Sequence, residues 1–172
     1  LVDGLFERLD AIPVTELRLM DVAPERLEVT ARLAERMARR HGNPFIVRMT
    51  TNLEEAVKDA RYVVTQLRVG GIAARIEDEK LGLRRGVVGQ ETTGVGGFAC
   101  ALRTIPRALD IAHAMQEHAA PDAVLVNFTN PSGIVTEALL KHSAVRSVGL
   151  CNVPIGMIME LSKWFDCEPG EV

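Results

Sequence analysis

The sequence predicts an α/β fold built on a doubly wound parallel sheet, with helices covering both faces of the sheet. Two observations lead to this prediction. Strand-like and helix-like segments alternate along the 172 residues, which is the order that crossover connections between parallel strands produce. The strand-like segments also read as short, almost unbroken apolar runs, such as AVLVNF at residues 123–128, and this is typical of strands buried on both faces.

The first third of the chain contains two predicted strands and two predicted helices. A strand is expected over residues 16–21 and a helix over residues 24–41, because Pro24 suits the first helical turn and apolar residues then recur along one face. A second strand follows over residues 45–49. A short helix over residues 52–59 begins at an asparagine, a residue type that caps helices.

The middle of the chain contains a strand, a helix and a long loop. Residues 61–67 are rich in β-branched side chains and predict a buried strand. The pair Gly70-Gly71 ends this strand, and residues 72–81 are predicted to be helical. Residues 82–97 are rich in glycine and polar side chains and show no periodicity. A loop of that length inside a compact domain is usually functional or mobile.

The last part of the chain completes the sheet. The predicted elements are a helix over residues 99–118, a strand over 123–128, a helix over 132–141, a strand over 145–150 and a helix over 154–164. These strands bring the total to five. A six-stranded nucleotide-binding sheet has one more, and we expect that first strand to precede Leu1. The prediction is thus a Rossmann-like sheet that lacks its first strand.

Composition excludes several classes of function. The net charge of −3 gives no reason to expect a nucleic-acid partner. No apolar run approaches the roughly 18 residues that a membrane span requires, so no membrane partner is expected. The three cysteines are odd in number and widely spaced, which fits a reducing cytoplasm better than a disulfide framework. The four histidines show no spacing typical of metal ligands.

Asp21 is the first candidate for cofactor binding. It ends a predicted strand, and in dinucleotide-binding folds an acidic residue at the tip of the second strand binds the adenosine ribose hydroxyls. The alternative is a turn residue ahead of Pro24. Residues 94–99 (GVGGFA) fit the glycine fingerprint of such folds literally, but no strand precedes them, so we reject that match.

Two strand ends carry polar residues that suit a binding site. Cys151 and Asn152 follow the strand over residues 145–150, and open α/β sheets bind ligands at the carboxyl ends of their strands. Cysteine also serves as a core residue, so both interpretations stay open. Asn130 follows the strand over residues 123–128; the Asn-Pro pair fixes a turn, and its amide is a candidate ligand.

Charged residues near the glycines form a third group of candidates. Arg68 and Arg75 flank Gly70-Gly71, and an arginine near such a break can bind an anion in a bidentate manner. Glu91 lies in the long loop with no hydrophobic reason to be ordered. A carboxylate in that position is a candidate acid, base or ligand-binding group.

Several segments together resemble glycoside hydrolase family 4, and more narrowly its 6-phospho-β-glucosidases. The segments are QLRVGGIAAR (66–75), GQETTGVGG (89–97), LRTIP (102–106), NFTNPSGIVTEA (127–138) and GLCNVPIG (149–156). The resemblance implies that residues 1–152 form an N-terminally truncated NAD-binding domain and that residues 153–172 begin a second, catalytic and oligomerisation α/β domain. It also implies that the glycine loop, a metal-binding histidine and a tyrosine base lie outside this chain, so that the chain alone is inactive.

The resemblance implies a cytoplasmic, NAD- and divalent-metal-dependent enzyme, typically with Mn²⁺, that acts on a phosphorylated disaccharide or β-glucoside. Unlike glycosidases that use two carboxylates, such enzymes oxidise C3 of the sugar, remove the C2 proton, eliminate the aglycone, add water and return the hydride. A homo-oligomer, dimer or tetramer, is expected. One alternative is an NAD-dependent oxidoreductase like lactate or malate dehydrogenase, which needs no metal. Another is a catalytically inactive nucleotide-binding or regulatory module.

The resemblance also implies roles for individual residues. Cys151 would be a catalytic residue as a thiolate ligand of the metal, and Asn130 and Asn152 would hold sugar hydroxyls, with Asn130 also near the cofactor. Arg75 would bind the 6-phosphate. Glu91 would be a catalytic residue beside the reacting sugar, and a glutamate at this position favours an enzyme that acts on β-glucosides. Asp21 would bind the adenosine ribose.

Overall fold

The computed structural model describes all residues from 1 to 172 and divides into two compact units, residues 1–60 and 61–172. None of the helices is long and apolar enough to cross a membrane.

The first unit is a two-stranded parallel sheet with three helices. Its elements are α1 (Val2–Phe6), β1 (Glu16–Met20), α2 (Pro24–Arg40), β2 (Ile46–Thr50) and α3 (Leu53–Val57). Strands β1 and β2 pair in parallel, with Glu16 opposite Ile46. The buried face of α2 is a stripe of small and branched apolar residues, namely Leu27, Ala31, Ala34 and Ala38. The side chain of Asn52 accepts a hydrogen bond from the backbone N–H of Glu55, which confirms it as the cap of α3.

The second unit is a three-stranded parallel sheet with four α-helices. Its elements are β3 (Tyr62–Thr65), α4 (Gly71–Leu83), α5 (Gly94–His118), β4 (Val124–Asn127), α6 (Ser132–His142), β5 (Arg146–Gly149) and α7 (Asn152–Phe165), followed by a 3-10 helix over Pro169–Glu171. The strand order is β3-β4-β5, and both pairings are parallel. Leu125 of the central strand and Val135 and Leu139 of α6 are fully buried. The predicted alternation of strands and helices is therefore confirmed.

The long loop is shorter than the sequence predicted. Helix α4 runs to Leu83 and α5 already begins at Gly94, so residues 84–93 form the connection instead of 82–97. The glycines that suggested a loop allow close packing within helices: a Cβ on Gly96 would lie 2.1 Å from the carbonyl oxygen of Gln90. Gly96 is buried in the first turn of α5, where no side chain fits.

Helix α7 also begins earlier than predicted. Its first residue is Asn152, and Cys151 is the extended N-cap residue. Pro154 lies within the first turn, where a backbone N–H has no partner inside the helix, so its missing donor does not delay the start of the helix. The earlier start places Cys151 directly at the junction between β5 and α7.

Candidate functional site

The carboxyl ends of the three strands in the second unit lie side by side. Thr65, Asn127 and Gly149 are aligned across β3, β4 and β5, and each is the last residue of its strand. The polar segments that follow these strands therefore leave the sheet at one edge. This is the edge at which open α/β sheets bind ligands.

A pocket at this edge brings together three of the predicted site residues. Asn130, Cys151 and Asn152 line a cavity of about 430 Å³, together with residues of the same two turns, of α6, of the start of α7 and of the loop before α5. Cys151 is a free, exposed thiol. The structure thus favours the strand-end interpretation of Cys151 over a core role.

The two turns that line the pocket are fixed by short-range contacts. The hydroxyl of Ser132 donates to the carbonyl oxygen of Leu150 over 3.3 Å. The thiol of Cys100 lies 3.8 Å from the carbonyl oxygen of Asn130. Thr92, the residue after Glu91, also lines the cavity, so the loop before α5 borders it.

Glu91 forms an ion-pair cluster with the two predicted arginines. Its carboxylate pairs with the guanidinium of Arg68 and lies 3.4 Å from that of Arg75. Arg75 also donates to Glu79 over 2.8 Å, and this hydrogen bond, with the charge of Glu91, raises the pKa of Arg75. The Glu91 side chain is only 15% exposed, so the loop is held onto α4 by charge.

Asp78 and Arg103 form a second charged contact that sequence reasoning missed. The buried carboxylate of Asp78 accepts from Arg103 at 2.7 and 2.5 Å, and this interaction raises the pKa of Arg103. Arg103 also donates to the carbonyl oxygen of Val69 over 3.4 Å, which ties α5 to the connection between β3 and α4. An acidic residue within the GIAARIED helix segment is a weak signal, because most such residues lie on solvated faces.

Asp21 belongs to the first unit and is already engaged within it. Its carboxylate accepts two hydrogen bonds from Arg26, both of 2.7 Å, and one from the backbone N–H of Ala23 over 2.9 Å. The hydrogen bonds from Arg26 lower the pKa of Asp21. These contacts are those of the turn residue that the sequence offered as an alternative, and its role toward a cofactor stays a prediction.

The pocket residues fit part of a metal site. A thiol and the amide oxygens of Asn130 and Asn152 are all usable metal ligands. Residues 1–172 contain no cluster of three or more His, Cys, Asp and Glu side chains placed to hold a metal. Cys151 would therefore be one ligand among others, as the resemblance implies.

The chain matches a known protein family over nearly its whole length. The sequence profile described as "Family 4 glycosyl hydrolase" matches residues 1–167. A relative from Bacillus subtilis (strain 168), described as a probable 6-phospho-beta-glucosidase, is 47% identical over 175 aligned residues, which cover 100% of this chain and 39% of that relative. The chain thus spans about two fifths of the length of this relative.

Solved structures agree with the sequence comparison. The 6-phospho-beta glucosidase of Thermotoga maritima, solved with manganese, NAD+ and glucose-6-phosphate, is 36% identical with a TM-score of 0.89, covering 98% of this chain and 40% of that one. A 6-phospho-alpha-glucosidase from gut microorganisms, solved with NAD and glucose-6-phosphate, is 31% identical with a TM-score of 0.92, covering 98% and 39%.

The rival dehydrogenase interpretation is supported at the level of the fold alone. Malate dehydrogenase from Plasmodium falciparum, in complex with NADH, is 14% identical with a TM-score of 0.58, covering 98% of this chain and 47% of that one. The family profile, in contrast, includes the segments around Asn130 and Cys151. The chain belongs to family 4 of the glycosyl hydrolases.

Proposed function

We propose that the complete protein carrying this chain hydrolyses 6-phospho-β-glucosides, using NAD and a divalent metal such as Mn²⁺. The observation that carries the proposal is the convergence of Asn130, Cys151 and Asn152 in one pocket at the strand ends. The relatives support the cofactors and the substrate class, since a related structure holds manganese, NAD+ and glucose-6-phosphate.

The β class is supported by two observations. The Bacillus subtilis relative with 47% identity is described as a probable 6-phospho-beta-glucosidase, whereas a relative described as 6-phospho-alpha-glucosidase 1, from Lacticaseibacillus paracasei, is 36% identical. The resemblance further implies that enzymes acting on α-glycosides tend to have aspartate where this chain has Glu91. The natural aglycone is a separate question.

The pocket residues would divide the work of binding. Asn130 and Asn152 each offer an amide with two donors and one acceptor oxygen, which suits the paired hydroxyls of a sugar, and Asn130 would also border the cofactor. Cys151 would bind the metal as a thiolate. The ketone formed by oxidation at C3 makes the neighbouring C2 proton acidic, and bound metal would stabilise the negative charge that forms when this proton is removed. Ligation by Cys151 would release the thiol proton.

The charged cluster would bind the phosphate. Arg75 can form charge-assisted hydrogen bonds to a phosphate group, but its guanidinium now contacts Glu79 and Glu91. A bound phosphate would compete with these carboxylates or share the guanidinium with them. Glu91 would then lie beside the sugar, and Asp21 would bind the adenosine ribose of NAD after exchanging its contacts with Arg26.

The reaction that we propose is oxidation at C3, removal of the C2 proton, elimination of the aglycone, addition of water and return of the hydride. Solvent exchange at C2 tests it. Turnover in D₂O should yield glucose-6-phosphate that carries deuterium at C2, because that proton is lost and replaced from solvent. Direct displacement at C1 leaves the C2–H bond intact, so a product without C2 deuterium would exclude this route.

A dehydrogenase without metal is the second candidate, favoured by the fold alone. The two candidates differ in their response to a chelator. Removal of divalent metal should abolish release of the aglycone and restoration by Mn²⁺ should recover it, whereas a dehydrogenase of the malate type would turn over NAD without regard to the chelator.

Assembly and location form part of the same proposal. Helix α7 leaves large apolar side chains exposed, among them Val153, Ile155, Met157, Trp164 and Phe165. We propose that these side chains are buried in the complete protein, which would remove apolar surface from water. They would pack against the rest of a second domain that begins at residue 153 or against a second copy in a homo-oligomer. Three free thiols suit a cytoplasmic enzyme. Light scattering on the complete protein measures the oligomer.

A further inference from the structure

Asn127, the last residue of β4, is fully buried, and its side chain is the centre of a hydrogen-bond network. Its amide oxygen accepts from the hydroxyl of Thr65 over 3.0 Å and from the backbone N–H of Thr129 over 3.2 Å. Its amide nitrogen donates to the hydroxyl of Thr136 over 3.0 Å and to the carbonyl oxygen of Thr129 over 3.3 Å. One side chain therefore connects the end of β3, the turn after β4 and helix α6.

The same network reaches the end of β5. The backbone carbonyl of Asn127 accepts from the N–H of Leu150 over 2.9 Å, which is the residue before Cys151. A Cβ on Gly149 would lie 2.2 Å from the hydroxyl oxygen of Thr136. The hydroxyl thus occupies space that Gly149 leaves open, and α6 lies against the last residue of β5.

We propose that Asn127 and Thr136 are positioning residues that set the spacing between Asn130 on one turn and Cys151 on the other. Both turns line the same pocket. The side chain of Asn127 binds the turn after β4, whereas the end of β5 is held by the backbone carbonyl of Asn127 and by the Thr136 hydroxyl that lies against Gly149. Neither Asn127 nor Thr136 lines the cavity, so each acts through the residues that do. The part of this proposal that concerns binding of metal and sugar rests on the proposed function. The part that concerns the spacing of the two turns does not.

The chemistry of the network favours positioning over simple core filling. An apolar side chain at the end of an apolar strand would pack without any need for partners, whereas a buried amide is costly unless all of its groups are hydrogen-bonded. The described side chains leave no buried polar atom without a partner. A fully satisfied polar network permits one arrangement of its members, and outer-shell contacts of this kind orient metal ligands.

The decisive comparison is between two neighbouring substitutions in α6. Thr136→Val keeps the shape of the side chain but removes the hydroxyl. Val135→Ala is the matched control, because Val135 is fully buried in the same helix and its loss lowers stability without altering the network. Thr136→Ser restores the hydroxyl and serves as the rescue variant.

Two readouts in the complete protein separate positioning from stability. Thr136→Val should accelerate hydrogen–deuterium exchange of residues 128–133 and 149–153 more than Val135→Ala does, and Thr136→Ser should restore wild-type exchange. In Mn²⁺ titrations followed by electron paramagnetic resonance, Thr136→Val should weaken binding by about tenfold or more, as expected for an outer-shell contact. Asn127→Asp, which replaces the amide donor with an acceptor, should have a larger effect in the same direction. If Asn127→Asp does not fold, Thr136→Val alone decides the question.

Equal exchange in the Thr136→Val and Val135→Ala proteins, with equal Mn²⁺ affinity, would overturn the proposal and leave the network a contributor to stability alone. A wild-type protein that binds no Mn²⁺ would instead contradict the proposed function. In that case the exchange comparison alone still decides whether Asn127 and Thr136 position the two turns.

Discussion

Arg103 donates two hydrogen bonds to the carboxylate of Asp78, and the two partners differ strongly in burial. The Asp78 side chain is 5% exposed, whereas that of Arg103 is 32% exposed. Removing Arg103 would therefore leave a buried carboxylate without its cation, while removing Asp78 would leave a guanidinium that can still reach water. Because the two side chains differ in burial, substitution of one should change stability by a different amount from substitution of the other.

We predict that Arg103→Leu destabilises the protein more than Asp78→Asn does. Breaking a buried ion pair by removing one partner costs about 3–5 kcal/mol, and we expect Arg103→Leu to approach this range. Asp78→Asn should cost about 1–2 kcal/mol, because a neutral amide retains an acceptor for Arg103. Urea denaturation of both variants measures the difference. Equal losses would contradict the prediction that the more buried partner, Asp78, suffers more from losing its cation than Arg103 does from losing its anion.

Stability should respond to pH through Asp21. The hydrogen bonds from Arg26 hold the pKa of Asp21 below its ordinary value of 3.8. The pKa of Asp21 is lower in the folded than in the unfolded protein, so the ionised carboxylate stabilises the fold at pH values above the unfolded-state pKa. This contribution is lost as the pH falls through the lowered pKa of the folded state. The Arg26 side chain is 66% exposed, so solvent screens the pair and its contribution to stability is small.

Asp21→Asn measures this contribution. The difference in unfolding free energy between wild type and Asp21→Asn should be constant from neutral pH down to about pH 5, should shrink below about pH 4, and should also shrink at high salt. Asp10→Asn is the control, since Asp10 is exposed and forms no ion pair. A difference that grows on acidification would contradict the assigned sign.

Much of the fold could be predicted from the sequence pattern, because β3 and β4 are short apolar runs and helices such as α2 carry an apolar face. The hydrogen-bond partners of Asn127 could not be predicted in this way. Thr65 is distant in sequence and is aligned with Asn127 only by the sheet register, and Thr136 reaches Asn127 only through the packing of α6 on the sheet. The start of α5 was also missed, because glycine at Gly96 is required by close packing against Gln90, and sequence alone does not distinguish that requirement from loop flexibility.

Phosphate recognition should depend on Arg75. In the complete enzyme, Arg75→Ala should raise the KM for a phosphorylated β-glucoside by about tenfold or more, because a hydrogen bond to a charged group contributes about 1.5–3 kcal/mol. Arg84→Ala is the matched control, since Arg84 pairs with Glu77 outside the cluster. An unchanged KM for Arg75→Ala would place phosphate recognition on other residues.

The role of Cys151 is tested by exchanging sulfur for oxygen. Serine is nearly the same size as cysteine but is a poor replacement for a thiolate ligand, and Cys151 is exposed at the N-cap of α7. Lost outer-shell contacts already cost about 10–100-fold in metal affinity or activity, and a lost ligand should cost at least as much. Cys151→Ser in the complete enzyme should therefore weaken Mn²⁺ binding and reduce turnover by about 100-fold or more, while the melting temperature without metal stays unchanged.

Cys167→Ser controls for the general effect of the substitution, because Cys167 is a free thiol that does not line the pocket. It should change neither metal affinity nor turnover. A structural cysteine at position 151 would give the opposite pattern, in which Cys151→Ser lowers the melting temperature and leaves turnover intact. That result would remove Cys151 from the metal site, whereas lost Mn²⁺ binding at full stability would establish its thiolate as a ligand.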